Sequence, residues 1–103
     1  MKTYHVKTFF GEYDVTIQKK NYRDNGNLAL QLWEPEEGPF ATLTVNLGKK
    51  LPANQAFVDT NNCPWGEEFI EENGLGKDTG KFGFSGYCVY PLYEFDEGVL
   101  ADD

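Results

Sequence analysis

Basic residues are scarce in this chain of 103 residues. Nine lysines and arginines stand against 17 aspartates and glutamates, for a net charge of -8 at pH 7. Proteins grip nucleic acid mainly by neutralising phosphates with Lys and Arg. A field of this sign repels nucleic acid and anionic membranes alike, so direct binding to either is not expected. Histidine and cysteine are equally sparse, at one and two residues. They cannot fill a four-ligand structural zinc site without carboxylates or a second chain, and neither metal nor cofactor is expected. Long apolar runs are missing too. No segment approaches the ~20 apolar residues of a membrane span, and "MKTYHVKTFF" has neither a long apolar core nor a small-residue cleavage site. The expected location is the cytoplasm, where Cys63 and Cys88 remain reduced.

What is present suits a folded domain. The chain is 40% hydrophobic and 16% aromatic, too rich for a disordered segment. Its length supports one core without a disulfide or a metal. One domain over residues 1–97 is expected, with 98–103 as a frayed acidic tail.

Period-two patterning dominates the first half. Two strands are expected around Gly11; in the second, Tyr13, Val15 and Ile17 alternate with Asp14, Thr16 and Gln18. Asn25 and Gly26 carry the signal of a two-residue hairpin turn. Leu28, Leu30 and Leu32 then alternate with Ala29, Gln31 and Trp33. After the break "PEEGP", "FATLTVNL" reads as one strand with Leu43, Val45 and Leu47 on one face. "QAFVDT" and "YCVYPLYEFD" read as further strands, the last kept to an edge or bent by Pro91. The glycine-rich "GLGKDTGKFGFSG" reads as a loop. Strands followed by one helix and one strand give an α+β fold: a twisted, mostly antiparallel sheet of five to six strands with one helix packed on a face.

That helix is expected over about 64–74, in "DTNNCPWGEEFIEENG". Asn62 or Cys63 suits the N-cap, Pro64 the first turn, and Gly74 a left-handed exit. At about 100° per residue, Trp65, Phe69 and Ile70 share one arc. Glu67, Glu68, Glu71 and Glu72 occupy the opposite one. Glu67 with Glu71 and Glu68 with Glu72 are like-charged i,i+4 pairs, and no lysine within the helix relieves them.

Chemical readings of the same stretch are weaker. Catalytic carboxylates need one buried and one wet environment, which four glutamates on one face do not suggest. Asp59 and Asn61 echo a calcium loop, but Cys63 and Pro64 fall where an oxygen ligand and a glycine are required. Cys63 at a helix start could be activated, yet Glu67 and Glu68 oppose that, and a buried or capping thiol is the simpler reading. Cys88, in an aromatic strand, reads as core. His5 has no nucleophile tied to it by spacing. Gly76 and Lys77 are followed by Asp78, outside the phosphate-loop pattern. The C-terminal aromatics resemble a base-stacking strand, but Glu94, Asp96 and Glu97 argue against nucleic acid there.

The combined pattern "NLALQLWE…GPFATLTVNL…NQAFVDTNNCPWGEEFIEENGLG…GYCVYPLYEFD" resembles a domain of unknown function from small proteins of Gram-positive bacteria, often carried on conjugative plasmids and integrated mobile elements. The resemblance covers about residues 26–96, and "AFVDTNNCPW" and "SGYCVYPLY" are its specific parts. It implies a bacterial cytoplasm and an accessory role on a mobile element, and brings no activity with it.

The leading expectation is a non-enzymatic acidic module docking a basic protein surface through Glu67, Glu68, Glu71, Glu72, Asp96 and Glu97. In its sharper form it mimics nucleic acid. One alternative is a small enzyme or ligand-binding domain with a pocket near Asp59, Asn61, Asn62, Trp65 and Tyr87. Another is a structural subunit of a plasmid-encoded assembly, with the aromatic C-terminal strand as its seam. Plain solubility also accounts for the charge.

Overall fold

The computed structural model describes residues 2–100. Eight strands and two short helices follow in the order β1 (Tyr4–Thr8), β2 (Gly11–Asn21), β3 (Leu28–Glu34), β4 (Gly38–Thr42), β5 (Thr44–Val45), β6 (Gln55–Val58), α1 (Gly66–Glu72), β7 (Gly76–Ser85), β8 (Cys88–Phe95) and α2 (Glu97–Leu100). The class is α+β and every strand pair is antiparallel. The single sheet of five to six strands is corrected: two four-stranded sheets form, in the orders β1-β2-β3-β4 and β5-β6-β8-β7.

Leu43 is the reason. "FATLTVNL" does not run as one strand but breaks there between β4 and β5. The Leu43 N–H donates to the Leu30 carbonyl of the first sheet at 2.9 Å. Its carbonyl accepts from Asp59 N–H, just past β6 in the second sheet, at 2.8 Å. One residue therefore seams both sheets. Leu43 enters the main core, whereas Val45 and Leu47, two and four residues on, pack against a separate small cluster of Phe57, Tyr90 and Leu92. Alternation alone would have kept all three together.

The main core draws on both sheets and on α1: Val6, Val15, Leu28, Leu30 and Leu32 meet Ala56, Val58, Tyr93, Phe95, Phe69 and Ile70. Helix α1 is shorter than the expected 64–74. Neither Asn62 nor Cys63 caps it; Trp65 holds that position without a side-chain bond. Asn62 is instead used one turn earlier, its N–H donating to Asp59 Oδ1 at 3.2 Å. The exit follows the expected left-handed form, with Gly74 at φ 63°. Gly74 N–H donates to Glu71 O and Leu75 N–H to Ile70 O, which satisfies two terminal carbonyls. Phe69 and Ile70 are buried; Trp65 is half-buried at the edge of the core.

Two loop assignments change. Asn25 and Gly26 are not a two-residue turn: residues 22–27 connect β2 to β3, and only Gly26, at φ 73°, is left-handed. Asn25 Nδ2 donates to Asn46 Oδ1 at 3.1 Å, so a long-range amide contact shapes this loop. The glycine-rich segment expected as a loop is strand β7, paired with β8 along most of its length. Glycine serves close approach here. A Cβ on Gly83 would lie 2.6 Å from Leu47 Cδ1 and 2.7 Å from the Phe57 ring. Of the tail expected to fray, residues 98–100 belong to α2, with Val99 and Leu100 against the core; 101–103 lie outside the described residues.

Candidate functional site

Helix α1 places its glutamates in two different settings. Glu68, Glu71 and Glu72 are exposed. Glu67 is half-buried and accepts a hydrogen bond from the Tyr93 hydroxyl at 2.9 Å. Burial, the Glu67 acceptor and the negative charge of Asp78 and Glu71 all hold the Tyr93 phenol above its ordinary range. Asp96 and Glu97 follow β8 and are exposed. Asp96 N–H donates to Leu75 O at 2.9 Å, which sets this pair beside the helix exit. Among the described residues, none of these six carboxylates enters an ion pair.

A groove of about 610 Å³ runs beside this face. One wall is the β1–β2 turn, with Lys7, Thr8, Phe9 and Phe10. The other is the approach to α1, with Asn61, Asn62, Pro64, Trp65 and Glu68. Phe9 and Phe10 are almost wholly exposed, at 101% and 92%. The Trp65 ring packs within an aromatic row, its centroid 5.7 Å from Phe40 and 6.1 Å from Phe69. The groove therefore collects Asn61, Asn62 and Trp65 of the sequence-based pocket. Asp59 does not line it. That carboxylate is buried, takes the Asn62 side-chain N–H at 2.9 Å and shapes the turn. Tyr87 is also elsewhere, fully exposed at the β7–β8 turn. Phe9 and Phe10 went unread because nothing in their spacing shows that residues 61–68 face them.

A second hollow, about 520 Å³, is lined by His5, Glu12, Tyr13, Asp14, Glu34, Pro35, Glu36 and Glu37. His5 Nε2 lies 2.7 Å from Glu12 Oε1, and Nδ1 lies 3.2 Å from Asp14 Oδ1. Hydrogen bonds to Glu12 and then Asp14 raise the imidazole pKa. His5 sits directly opposite Asp14 in the β1–β2 register. Folding the two strands about their turn would have revealed the pairing.

The thiols offer little chemistry. Both are free, and Cys63 is buried with Sγ donating to the Thr42 carbonyl at 3.5 Å. Burial, then the Asp59 charge, pushes its pKa to about 11. Such a thiol stays protonated near neutrality and is a poor nucleophile. Among the described residues no cluster of three or more His, Cys, Asp or Glu is placed to hold a metal ion. No helix among them is long and apolar enough to cross a membrane.

Two antiparallel sheets sharing one core and two short helices define a small α+β protein, with exposed carboxylates on α1 and an aromatic groove beside Glu68. The chain belongs to the family described as domain of unknown function DUF4313, whose model matches residues 16–101. Neither the curated proteins nor the solved structures hold a match to it.

Proposed function

We propose that this protein is a non-enzymatic binding module that docks a basic protein surface. The observation carrying this reading is the set of carboxylates on Glu68, Glu71 and Glu72 of α1, with Asp96 and Glu97 beside the helix exit, all exposed and without ion-pair partners among the described residues. Stability does not require this arrangement. Like charges at i,i+4 weaken a helix by a few tenths of a kcal/mol, about 0.2–0.5 per pair. A partner's Lys and Arg groups would relieve that repulsion and steer encounter. The adjoining groove supplies the apolar component, with Phe9, Phe10 and Trp65 beside Glu68. In its sharper form this set stands in for nucleic acid and occupies a DNA-binding cleft, in keeping with a cytoplasmic accessory role on a mobile element of Gram-positive bacteria. The groove also supports a second reading, a site for a small apolar ligand with amide groups, through Asn61, Asn62 and Trp65.

The test compares the parent with the double variant Glu68→Lys, Glu72→Lys as bait in a bacterial lysate, at low and high salt. Proteins held by the parent at low salt are expected to be released by salt and lost by the variant. Identical capture by both baits would reduce these carboxylates to a solvated face. Capture of nothing by either, with a small molecule retained on the parent, would favour the groove.

A further inference from the structure

We propose that two copies of this chain associate through the open edge of β7, burying a shared face made by Phe82, Phe84 and Val89. This does not rest on the basic-partner reading.

The second sheet ends at β7, whose outer side pairs with nothing among the described residues. Along it, Phe82 lies opposite Pro91, Gly83 opposite Tyr90, and Phe84 opposite Val89. Antiparallel partners share a face, so Phe82, Phe84 and Val89 lie together. Gly83 points the other way, toward Leu47 and Phe57 of the small cluster. By the same alternation, Val89 and Pro91 share the side of Tyr93 and Phe95, which is the side of the main core. The apolar trio thus continues a core-facing surface past the point where the core stops. Yet Phe82, Phe84 and Val89 are 57%, 72% and 49% exposed, with Tyr87 beside them at the turn. Side chains patterned for burial stand uncovered.

Charge selects the occupant. From residue 79 to residue 93 the only charged side chain is Lys81, in a molecule of net charge -8. Two such molecules repel through most of their surfaces. On this hairpin a second copy meets no carboxylate from residue 79 to residue 93. A basic partner, by contrast, would gain nothing from it electrostatically.

Backbone geometry admits a symmetric pairing. Ser85 and Cys88 close a two-residue turn with Gly86 at φ 59°. Counting back from that closing pair by antiparallel alternation, Phe82 and Phe84 direct their N–H and C=O groups to the open edge. A two-fold axis at Gly83 then sets Phe82 opposite the partner's Phe84, and Phe84 opposite the partner's Phe82. Four phenylalanines gather on one side, and the axis carries no side chain. The irregularity between Asp78 and Phe82 limits the paired run to the hairpin end. Taking on the order of 150–250 Å² for each aromatic side chain, weighted by exposures of 57% for Phe82 and 72% for Phe84, and adding the half-exposed Val89, the patch removes roughly 300 Å² per copy. Two such faces reach about 600 Å², the size of a weak, reversible contact, to which the paired strand edges add their backbone hydrogen bonds.

Sedimentation velocity on the full chain, from micromolar to millimolar concentration at low and high salt, tests the proposal. A reversible dimer is expected, tightened by salt because salt screens the like-charge repulsion. The exposed carboxylates would show the opposite salt response with their partner, so failure of either reading is distinguishable. Phe84→Glu should weaken the dimer by about tenfold or more, as loss of a central apolar anchor does. Ala53→Glu, which adds the same charge at an exposed turn between β5 and β6, should leave it unchanged. Should Phe84→Glu fail to fold, hydrogen exchange on the parent decides: outward amides at Phe82 and Phe84 gain protection as concentration rises. A parent that stays monomeric throughout overturns the proposal. So does a folded Phe84→Glu that dimerises like the parent, or edge amides that exchange equally fast at all concentrations.

Discussion

The Tyr93 hydroxyl donates to the Glu67 carboxylate across 2.9 Å, tying the first turn of α1 to the last strand of the second sheet. Glu67 is therefore part of the scaffold, unlike its helical neighbours. Tyr93→Phe removes the donor while keeping the ring. The expected cost is about 1.5–3 kcal/mol, the usual range for a hydrogen bond to a charged group. Urea denaturation measures it, and a midpoint equal to that of the parent would show that the bond contributes nothing. Glu68→Lys, where the carboxylate is exposed, should by contrast leave the midpoint within a few tenths of a kcal/mol.

Gly83→Ala should destabilise the fold. Its Cβ would fall 2.6 Å from Leu47 Cδ1 and 2.7 Å from the Phe57 ring, too close for any real contact. Overpacking of this kind costs roughly 1–3 kcal/mol. Thermal melting monitored by circular dichroism checks it. An unchanged melt would mean that β7 stands further from the small cluster.

His5 should titrate above the ordinary 6.5, since Glu12 and then Asp14 favour its protonated form. The sign follows directly. A raised pKa contributes stability that is complete below the unfolded value and fades as pH rises through the folded one. Glu12→Gln should lower the His5 pKa. NMR titration of the imidazole protons reads both; a pKa at or below 6.5 in the parent would remove the predicted pairing. His5 is solvent-exposed, so the accompanying change in stability is small.

The thiols should react unequally. Cys63 is 2% exposed with a pKa near 11, whereas Cys88 is only partly buried. Iodoacetamide at neutral pH should modify Cys88 first, and Cys63 only after denaturant is added. Mass spectrometry of tryptic peptides reports the order. Because the folded thiol holds its proton more tightly than the unfolded one, stability is also expected to fall as pH rises from about 9 toward 11.

Short-range signals carried much of the fold. Period-two runs located β2 and β3 and their buried Leu28, Leu30 and Leu32. Helical spacing separated Phe69 and Ile70 from the glutamates, and Gly74 marked the helix exit. These features depend on neighbours within a turn or a pleat, where residue type and φ preference decide. Periodicity failed where it had to choose between partners. It could not say that Leu43 ends one sheet and begins another, since both outcomes bury a leucine.

The same limit divides the candidate surfaces. The sequence by itself determined that α1 carries unrelieved negative charge and that the chain is acidic overall, because charge and helical spacing are read from residue identity alone. Only the tertiary structure decided that Glu67 is held by Tyr93, that Phe9 and Phe10 meet residues 61–68 across a groove, and that "KFGFS" is an edge strand with both phenylalanines uncovered. Each joins segments far apart in the chain or concerns what a strand lacks beside it. Such pairings form only when burying the whole core outweighs the entropy of closing long loops, a balance that no single stretch of residues expresses.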